Sequence, residues 1–459
     1  MSAPRSFNEL PLSPAMLATL QQLDYHEMTP IQAASLPLAL AGRDLIARAK
    51  TGSGKTAAFA LPLLTLLNPR WFAVQGLVLC PTRELAEQVT KEIRRLARGH
   101  DNIKVVTLCG GVPAGPQRAS LEHGAHVVVG TPGRIMDHLE RGSLKLDGLN
   151  MLVLDEADRM LDMGFFDDID YVASHCPTRR QTLLFSATYP DGIARIAREF
   201  QREPQMVTIE ETHSSATIRQ RFYEVKHEER LQSVAPLLRH YRPTSALAFC
   251  NTRQQCRDLL DVLQAQGIAA LALHGEMEQV DRDQVLVQFA NRSCTVLVAT
   301  DVAARGLDIK DLDMVINVDT TPDPEVHVHR VGRTGRAGQD GWALSLMSPG
   351  DKRRIGAIAA ACNIEPEWHA LGDLAHDDAP LLPPMATLQI LGGRRDKIRP
   401  GDVLGALTGD AGFTREQIGK IQITDQSSYV AVERGIADEV VRRLSGGKLK
   451  GKPVKLRRL

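Results

Sequence analysis

Short apolar runs that alternate with helical patterns, first from about Asp44 to Thr208 and then again after Thr217, restrict this chain more than any other feature. The first series reads DLIARA, GLVLCPT, VVTLCGG, AHVVVGTP, MLVLDEAD and QTLLFSAT, with amphipathic stretches such as RELAEQVTKEIRRLAR between the runs. A strand that is apolar throughout must be covered on both faces, and a helix after each strand brings the chain back to start the next one in parallel. Residues 1–209 are therefore expected to form a parallel α/β domain. ALAFCNT, ALALHGE, TVLVATD, DMVINVD and WALSLMS repeat the pattern and predict a second such domain over 218–362, with the polar EETHSSAT (210–217) as the linker. NIEPEWHALGDLAHDDAPLLPP has weak periodicity and reads as a connector over 363–384. From Met385 onward MATLQILGG, IGKIQIT, SSYVAVE and KPVKLRRL read as strands, and PGDVLGALTG and IADEVVRRLSG as helices. The order β-α-β-β-α-β is that of a small α+β RRM-like sandwich, expected over 385–459.

Charge adds an asymmetry that the total hides. The whole chain balances 55 Lys/Arg against 55 Asp/Glu, but Met385–Leu459 holds 15 Lys/Arg and 8 Asp/Glu. A basic terminal module on an acidic body points to a nucleic-acid partner. The 7 cysteines are scattered, with no C-x-x-C pair, which reads as reduced thiols and not as a disulfide frame or zinc site. No apolar run reaches the ~18 residues of a membrane span, and the N-terminus has no signal-peptide pattern. A cytoplasmic, monomeric protein with no membrane partner is expected.

AKTGSGKT, Ala49–Thr56, follows the first apolar run and opens a helical pattern. It matches G-x-x-x-x-G-K-[ST] except that Ala49 stands where the first glycine belongs. Small residues at Thr51, Gly52, Ser53 and Gly54 let backbone N–H groups converge on phosphate oxygens at a helix N-terminus. Lys55 can reach the β/γ-phosphates and Thr56 can help hold Mg²⁺. The bland alternative is a Gly/Ser turn with a surface lysine. MLVLDEAD weakens that alternative, because it ends a buried strand with Asp155 and Glu156 at the edge where α/β ligands bind. Asp155 can hold Mg²⁺, and Glu156 can orient and deprotonate an attacking water. HRVGRTGRAG offers Arg330, Arg333 and Arg336 at three-residue spacing, with glycines that disfavour a plain surface helix. Arg333 and Arg336 are read as arginine fingers for the transition-state charge. His327 and His329 could share one side of a strand, but no third metal ligand accompanies them.

With these residues in hand, the chain resembles the DEAD-box ATP-dependent RNA helicases over about 370 residues. Gln32 in MTPIQ matches the glutamine that reads adenine, and Phe7 lies where the family places an aromatic against the base. Where the family often has glycine, Asp24 precedes Tyr25, a departure that bears on the turn there. AKTGSGKT, Ala included, is the family's usual P-loop. Pro81, Thr82 and Arg83 of PTRELA, Gly111 of the Gly110–Gly111 pair, and Thr131, Pro132 and Arg134 of TPGR match first-domain RNA contacts. Ser186 and Thr188 of SAT match the motif that links hydrolysis to domain closure, a coupling role shared by Asp158 and His329. The FCNT segment, the Gln279/Arg282 pair and ATDVAARGLDI match the family's second-domain set; Thr252, Arg253, Thr300 and Arg305 lean toward RNA, whereas Gly306 and Asp308 lean toward the nucleotide. The resemblance implies two tandem RecA-like domains that close on ATP and single-stranded RNA, with hydrolysis resetting the clamp.

The terminal segments RPGDVLGALTGDAG and IGKIQITDQSSYVAV are similar to the RNA-binding domain of the DbpA subfamily. That similarity implies recognition of a hairpin in large-subunit (23S) ribosomal RNA and a role in pre-50S particles. Tyr429 is the one obvious stacking aromatic, and a core or rim position is the competing reading. RNA contacts are expected from Arg394, Arg395, Lys397, Lys448, Lys450 and Lys452, with the sheet face less used. The alternatives are a general helicase of RNA turnover, an ATP-gated RNA clamp that does not unwind, and a DNA translocase; no DNA partner is expected.

Overall fold

The computed structural model describes residues 6–49, 53–100, 102–189, 191–209, 218–304, 312–335, 340–375, 379–445, 448–449, 452–453 and 455–459. The segment expected as a linker, 210–217, lies outside them. Two compact units are present, the first holding the described residues up to 209 and the second those from 218 onward.

The first unit holds a seven-stranded parallel sheet of β1 (Leu45–Arg48), β2 (Gly76–Leu79), β3 (Val105–Leu108), β4 (Val127–Gly130), β5 (Met151–Asp155), β6 (Gln181–Ser186) and β7 (Gln205–Thr208). Its order is β3-β4-β2-β5-β6-β1-β7. All six runs read as strands form here, and one apolar cluster packs on each face, around Phe59 and Phe185 on one side and Leu152 and Met160 on the other. β7 was not anticipated: three of its four residues are exposed at the sheet edge, so it lacks the apolar signature.

The second unit repeats the plan with β8 (Ile218–Glu224), β9 (Ala246–Cys250), β10 (Ala270–Leu273), β11 (Val296–Thr300), β12 (Met314–Asn317), β13 (Gly341–Met347) and β14 (Trp368–His369). The order β10-β11-β9-β12-β13-β8-β14 is the same topology, again all parallel. β8 was missed because IRQRFYE carries charge at alternate positions. β14 falls in the stretch read as a connector. That stretch is built into this unit: Trp368 and His369 pair with Phe222 and Tyr223, and Leu381 is buried in the same core.

The remaining strands form two smaller sheets. β15 (Met385–Leu391), β16 (Ile418–Ile423), β17 (Ser427–Glu433) and β20 (Leu456–Arg458) make an antiparallel sheet in the order β16-β17-β15-β20, and β18 (Lys448–Leu449) and β19 (Lys452–Pro453) pair as a hairpin. The helices Pro400–Gly405 and Ala437–Leu444 cover one face, where Leu388, Val430 and Val432 join Val403 and Val440. Thr387, Gln389, Tyr429 and Ala431 line the other face. There Thr387 Oγ1 meets Asn291 Nδ2 at 3.1 Å and Ser293 Oγ at 2.6 Å, and Met385 N donates to Arg292 O at 3.3 Å. Tyr429 is only 6% exposed. The fold is thus two RecA-like parallel-sheet domains followed by a small antiparallel α+β domain.

Candidate functional site: one sheet edge with two halves

Strand order decides which motifs meet. In the first sheet β5, β6 and β1 are neighbours, so the loops at their carboxyl ends converge although about 130 residues separate β1 from β6. These are the P-loop, DEAD and SAT segments. On the other side β3, β4 and β2 are neighbours, which gathers the Gly110–Gly111, TPGR and PTRELA segments.

On the first half, Gly54 has φ +92° and caps the helix Lys55–Leu66. A Cβ there would also lie 2.5 Å from Gln32 Nε2, so both conformation and space demand glycine. Gln32 is 1% exposed; its Nε2 donates to Gly54 O at 3.0 Å, and its Oε1 accepts from Thr29 N at 2.9 Å. The Q segment is therefore bolted to the phosphate loop. Ala49 has no left-handed φ, which explains why alanine serves, and its N–H donates to Ser186 O at 3.0 Å. Thr56 follows Lys55 on the same helix and is half-buried.

Lys55 is buried, and its Nζ has no hydrogen-bond partner among the described residues; the same holds for Asp155 Oδ1 and Ser186 Oγ. Burial pushes the Asp155 carboxyl up to about 6, with Glu156 adding to the rise and Lys55 opposing it. Glu156 sits at φ 53° and ψ 51°, a left-handed conformation that costs a non-glycine residue ~1–3 kcal/mol. Its Oε2 lies 3.2 Å from Arg159 Nη1 as an ion pair without hydrogen-bond alignment. Asp158 ties this loop to SAT: its Oδ2 accepts from Ala187 N (3.0 Å), Thr188 N (2.9 Å) and Thr188 Oγ1 (3.0 Å). Burial raises the Asp158 carboxyl, but Lys55, the Thr188 bonds and Arg159 outweigh it and hold it below its ordinary value. Phe7 is buried in the core with its ring edge-on to Tyr25 at 6.1 Å. Tyr25 Oη in turn donates to Glu92 Oε1 at 2.6 Å. Asp24 keeps the left-handed turn with φ 61°, the conformation glycine adopts freely.

On the second half, Thr82 caps the helix Arg83–Leu96, its hydroxyl accepting from Leu85 N at 3.3 Å. Pro81 precedes it, and Arg83 pairs with Glu87 at 2.8 Å. Thr131 and Pro132 open the helix Pro132–Glu140. Arg134 turns inward to Val112 O and Gln117 Oε1. Gly111 has φ +75°.

In the second unit, Thr252 caps the helix Arg253–Ala265, and exposed Arg253 pairs with Glu276 at 2.8 Å. Gln279 bonds Asp283 at 2.8 Å, and Arg282 donates to Ala303 O at 2.7 Å beside buried Thr300. The helix Pro324–Val331 ends at Gly332, so Arg330 and Arg333 do not share a helical face, and His327 and His329 lie on this helix, not on a strand. Arg330 is buried and grips Asp301 with Nε (2.7 Å) and Nη2 (2.6 Å), and Asp319 O with Nη1 (2.7 Å). Arg333 lies in the turn beyond it and is 7% exposed. His329 is half-buried and His327 bonds Gln220. In the C-terminal domain Arg394, Arg395 and Lys397 are exposed on one turn, where Arg394 Nη2 donates to Ile423 O at 3.1 Å. Thr51, Gly52, Arg305, Gly306, Asp308, Arg336 and Lys450, and the side chains of Lys448 and Lys452, lie outside the described residues. Among the described residues no cluster of three or more metal-ligating side chains occurs, and no helix is long and apolar enough to cross a membrane.

Sequence reasoning overlooked Gln117, His138, Asp301 and Asp319. They are polar residues inside otherwise ordinary helices and loops; burial distinguishes Gln117, His138 and Asp319, and the grip of buried Arg330 distinguishes half-buried Asp301.

Comparison with known proteins gives this geometry its family. The DEAD/DEAH box helicase family matches residues 29–196, the helicase conserved C-terminal domain 229–338, and the DbpA RNA binding domain 387–458. The chain is 51% identical to the ATP-dependent RNA helicase DbpA of Escherichia coli over 100% of both chains. It is 43% identical to the DEAD-box ATP-dependent RNA helicase CshA of Geobacillus kaustophilus, over 77% of this chain and 75% of that one. Among solved structures, S. cerevisiae Dbp5 bound to RNA and ADP BeF3 superposes with a TM-score of 0.73 at 30% identity, covering 80% of this chain and 96% of that one. A parallel-sheet pair, a phosphate loop joined to DEAD and SAT, and a DbpA-type module at the end make this chain a member of the DEAD-box ATP-dependent RNA helicases, of the DbpA type.

Proposed function

We propose that this helicase remodels large-subunit (23S) ribosomal RNA in pre-50S particles, acting in the cytoplasm as a monomer. The observation that carries the reading is the DbpA-type module at residues 387–458, appended to the helicase core. Backbone contacts position a strand without reading it, so target choice falls to the module. Exposed Arg394, Arg395 and Lys397 at one turn, with the basic Lys448–Lys452 hairpin, supply the charge; the covered sheet face around Thr387 and Tyr429 supports contacts away from it.

In the core, Lys55 binds the β/γ-phosphates, Gln32 and Phe7 read the adenine, and Gly306 and Asp308 complete the nucleotide contacts. Glu156 orients the attacking water and takes its proton. Arg333 and Arg336 meet the charge that develops on the transferred phosphoryl group. Asp158, Ser186, Thr188 and His329 couple hydrolysis to closure. Mg²⁺ fits the residues present: a buried Asp155 oxygen lacks a protein partner, and this ion bound with ATP needs only one or two carboxylates beside phosphate oxygens. Asp155 and Thr56 would hold it, and it would neutralise phosphate charge. Pro81, Thr82, Arg83, Gly111, Thr131, Pro132, Arg134, Thr252, Arg253, Thr300 and Arg305 grip the RNA backbone.

ATPase stimulation by ribosomal RNA, an unrelated RNA of equal length and DNA tests the reading. Selective stimulation by ribosomal RNA that is lost in the Arg394→Ala/Arg395→Ala double variant is expected. Equal stimulation by any RNA would replace the proposal with a general helicase, and RNA retention without duplex separation would replace it with a clamp.

A further inference from the structure

Gln117, on the helix Ala114–Glu122, belongs to none of the motifs and is 9% exposed. Its Nε2 donates to Cys109 O at 2.9 Å. Its Oε1 accepts from Arg134 Nη1 at 3.1 Å and His138 Nε2 at 3.0 Å. A flipped amide would set N–H against guanidinium N–H, so the orientation is unambiguous. His138 is fully buried. Because Gln117 Oε1 only accepts, His138 Nε2 carries the hydrogen, and Nδ1 lies 2.8 Å from Ser143 Oγ, which is also 3.1 Å from His138 O. Burial, with Arg134 nearby, holds this imidazole below its ordinary pKa and so neutral.

Arg134 passes the constraint on. Nη1 and Nη2 both donate to Val112 O, at 3.0 and 3.1 Å. The carbonyls on either side of Gly110–Gly111 are thereby held, Cys109 O by Gln117 itself and Val112 O by the arginine that Gln117 anchors. Gly110 has no left-handed φ, and a Cβ built on it meets nothing within 4 Å. Among the described residues no neighbour requires glycine there, and the open space leaves room for another backbone to approach closely.

We propose that Gln117 is a positioning residue for RNA: with His138 behind it, it fixes the Cys109–Val112 loop so that the glycine amides face an RNA phosphate. This rests on the reading of that loop as an RNA contact. Titration of ATPase against RNA separates the two claims. Gln117→Met, similar in length but without polar atoms, is expected to raise the RNA concentration for half-maximal rate about tenfold, the size of one lost charge-assisted bond. The ATP concentration for half-maximal rate should change less than about twofold, since the phosphate half of the edge is untouched. Gln117→Glu keeps the acceptor for Arg134 but loses the donor to Cys109 O, and should recover only part of the loss. Gln117→Met added to Arg134→Ala should do less harm than the sum of the two, because both act on one loop while Gln117 also holds Cys109 O. Gly110→Ala, which adds a methyl to open space, should weaken RNA use without lowering the melting temperature. If Gly110→Ala uses RNA like the parent, the loop is no RNA contact and both claims fall. If Gly110→Ala is impaired while folded Gln117→Met is not, or if Gln117→Met loses ATP and RNA use in parallel, the positioning role is wrong.

Discussion

The two large sheets share one strand order, yet their carboxyl edges carry opposite kinds of polar chemistry. On the first, Lys55 Nζ, Asp155 Oδ1 and Ser186 Oγ are buried without a hydrogen-bond partner among the described residues, and Glu156 is strained. On the second, the buried charges neutralise one another. Arg330 holds Asp301, and Arg230 bridges Asp319 and Asp351 at 2.9 Å each. A buried charge is tolerable when paired, and costly when not. The first edge thus keeps buried polar groups without protein partners among the described residues, and the second has the character of a scaffold that fixes its own loops. Topology is common to both; function resides in which polar groups the protein leaves to a ligand.

The comparison can be broken most severely at Glu156. Glu156→Gln keeps size and burial but removes the base, and should cut RNA-stimulated turnover by roughly 10³–10⁴-fold while ATP and RNA still bind. Steady-state phosphate release together with equilibrium binding checks this, and normal release would remove Glu156 from the chemistry. On the second edge the loss should appear as stability instead. Arg330→Met removes a buried guanidinium with hydrogen bonds to half-buried Asp301 and to Asp319 O, and is expected to cost about 2–3 kcal/mol in denaturant unfolding; a loss below ~1 kcal/mol would mean the network is not a scaffold.

His327 sharpens the same point through pH. Burial, with Arg330 nearby, lowers its pKa to about 4. A histidine kept neutral in the fold contributes stability that is present above its ordinary value of ~6.5 and lost as pH falls toward 4. The full swing is ~3 kcal/mol, and His327→Gln, which retains a donor for Gln220, should flatten stability across that window. Parent and variant with the same acid slope would refute it. The smallest effect concerns a surface turn: Asp24 sits at φ 61°, so Asp24→Gly should stabilise the first unit by ~0.5–1 kcal/mol, read as a small rise in melting temperature.

Much of this architecture was legible before any coordinates. Runs such as GLVLC and MLVLD announce themselves because strands buried on both faces must be apolar throughout. β7, β8 and β14 stayed hidden since exposed or charge-bearing strands lack that pattern. The P-loop was readable with its alanine, but the φ at Gly54 and the clash with Gln32 explain its glycine only in three dimensions. Arg330 stood out as one of a row of arginines; that it is a buried clamp on Asp301, and not a neighbour of Arg333 on one helical face, follows from the helix ending at Gly332. Tyr429 could be named as an aromatic on a strand, yet only the fold shows it to be 6% exposed, on the same sheet face whose Thr387 bonds Asn291 and Ser293, nearly a hundred residues upstream of β15.

By itself the sequence determined the local chemistry: where the strands buried on both faces begin, which loop has the phosphate-cradling pattern, which carboxylates end a strand, and that a basic module follows the core. Those are properties of neighbouring residues and of periodicity. Tertiary structure alone decided which loops meet. β1, β6 and β5 lie side by side, so Asp158 reaches Thr188; β3, β4 and β2 do likewise, so Gln117 reaches Arg134. The physical reason is that sheet order depends on long-range pairing, and whether a buried polar group is partnered or reserved depends on atoms that are distant along the chain.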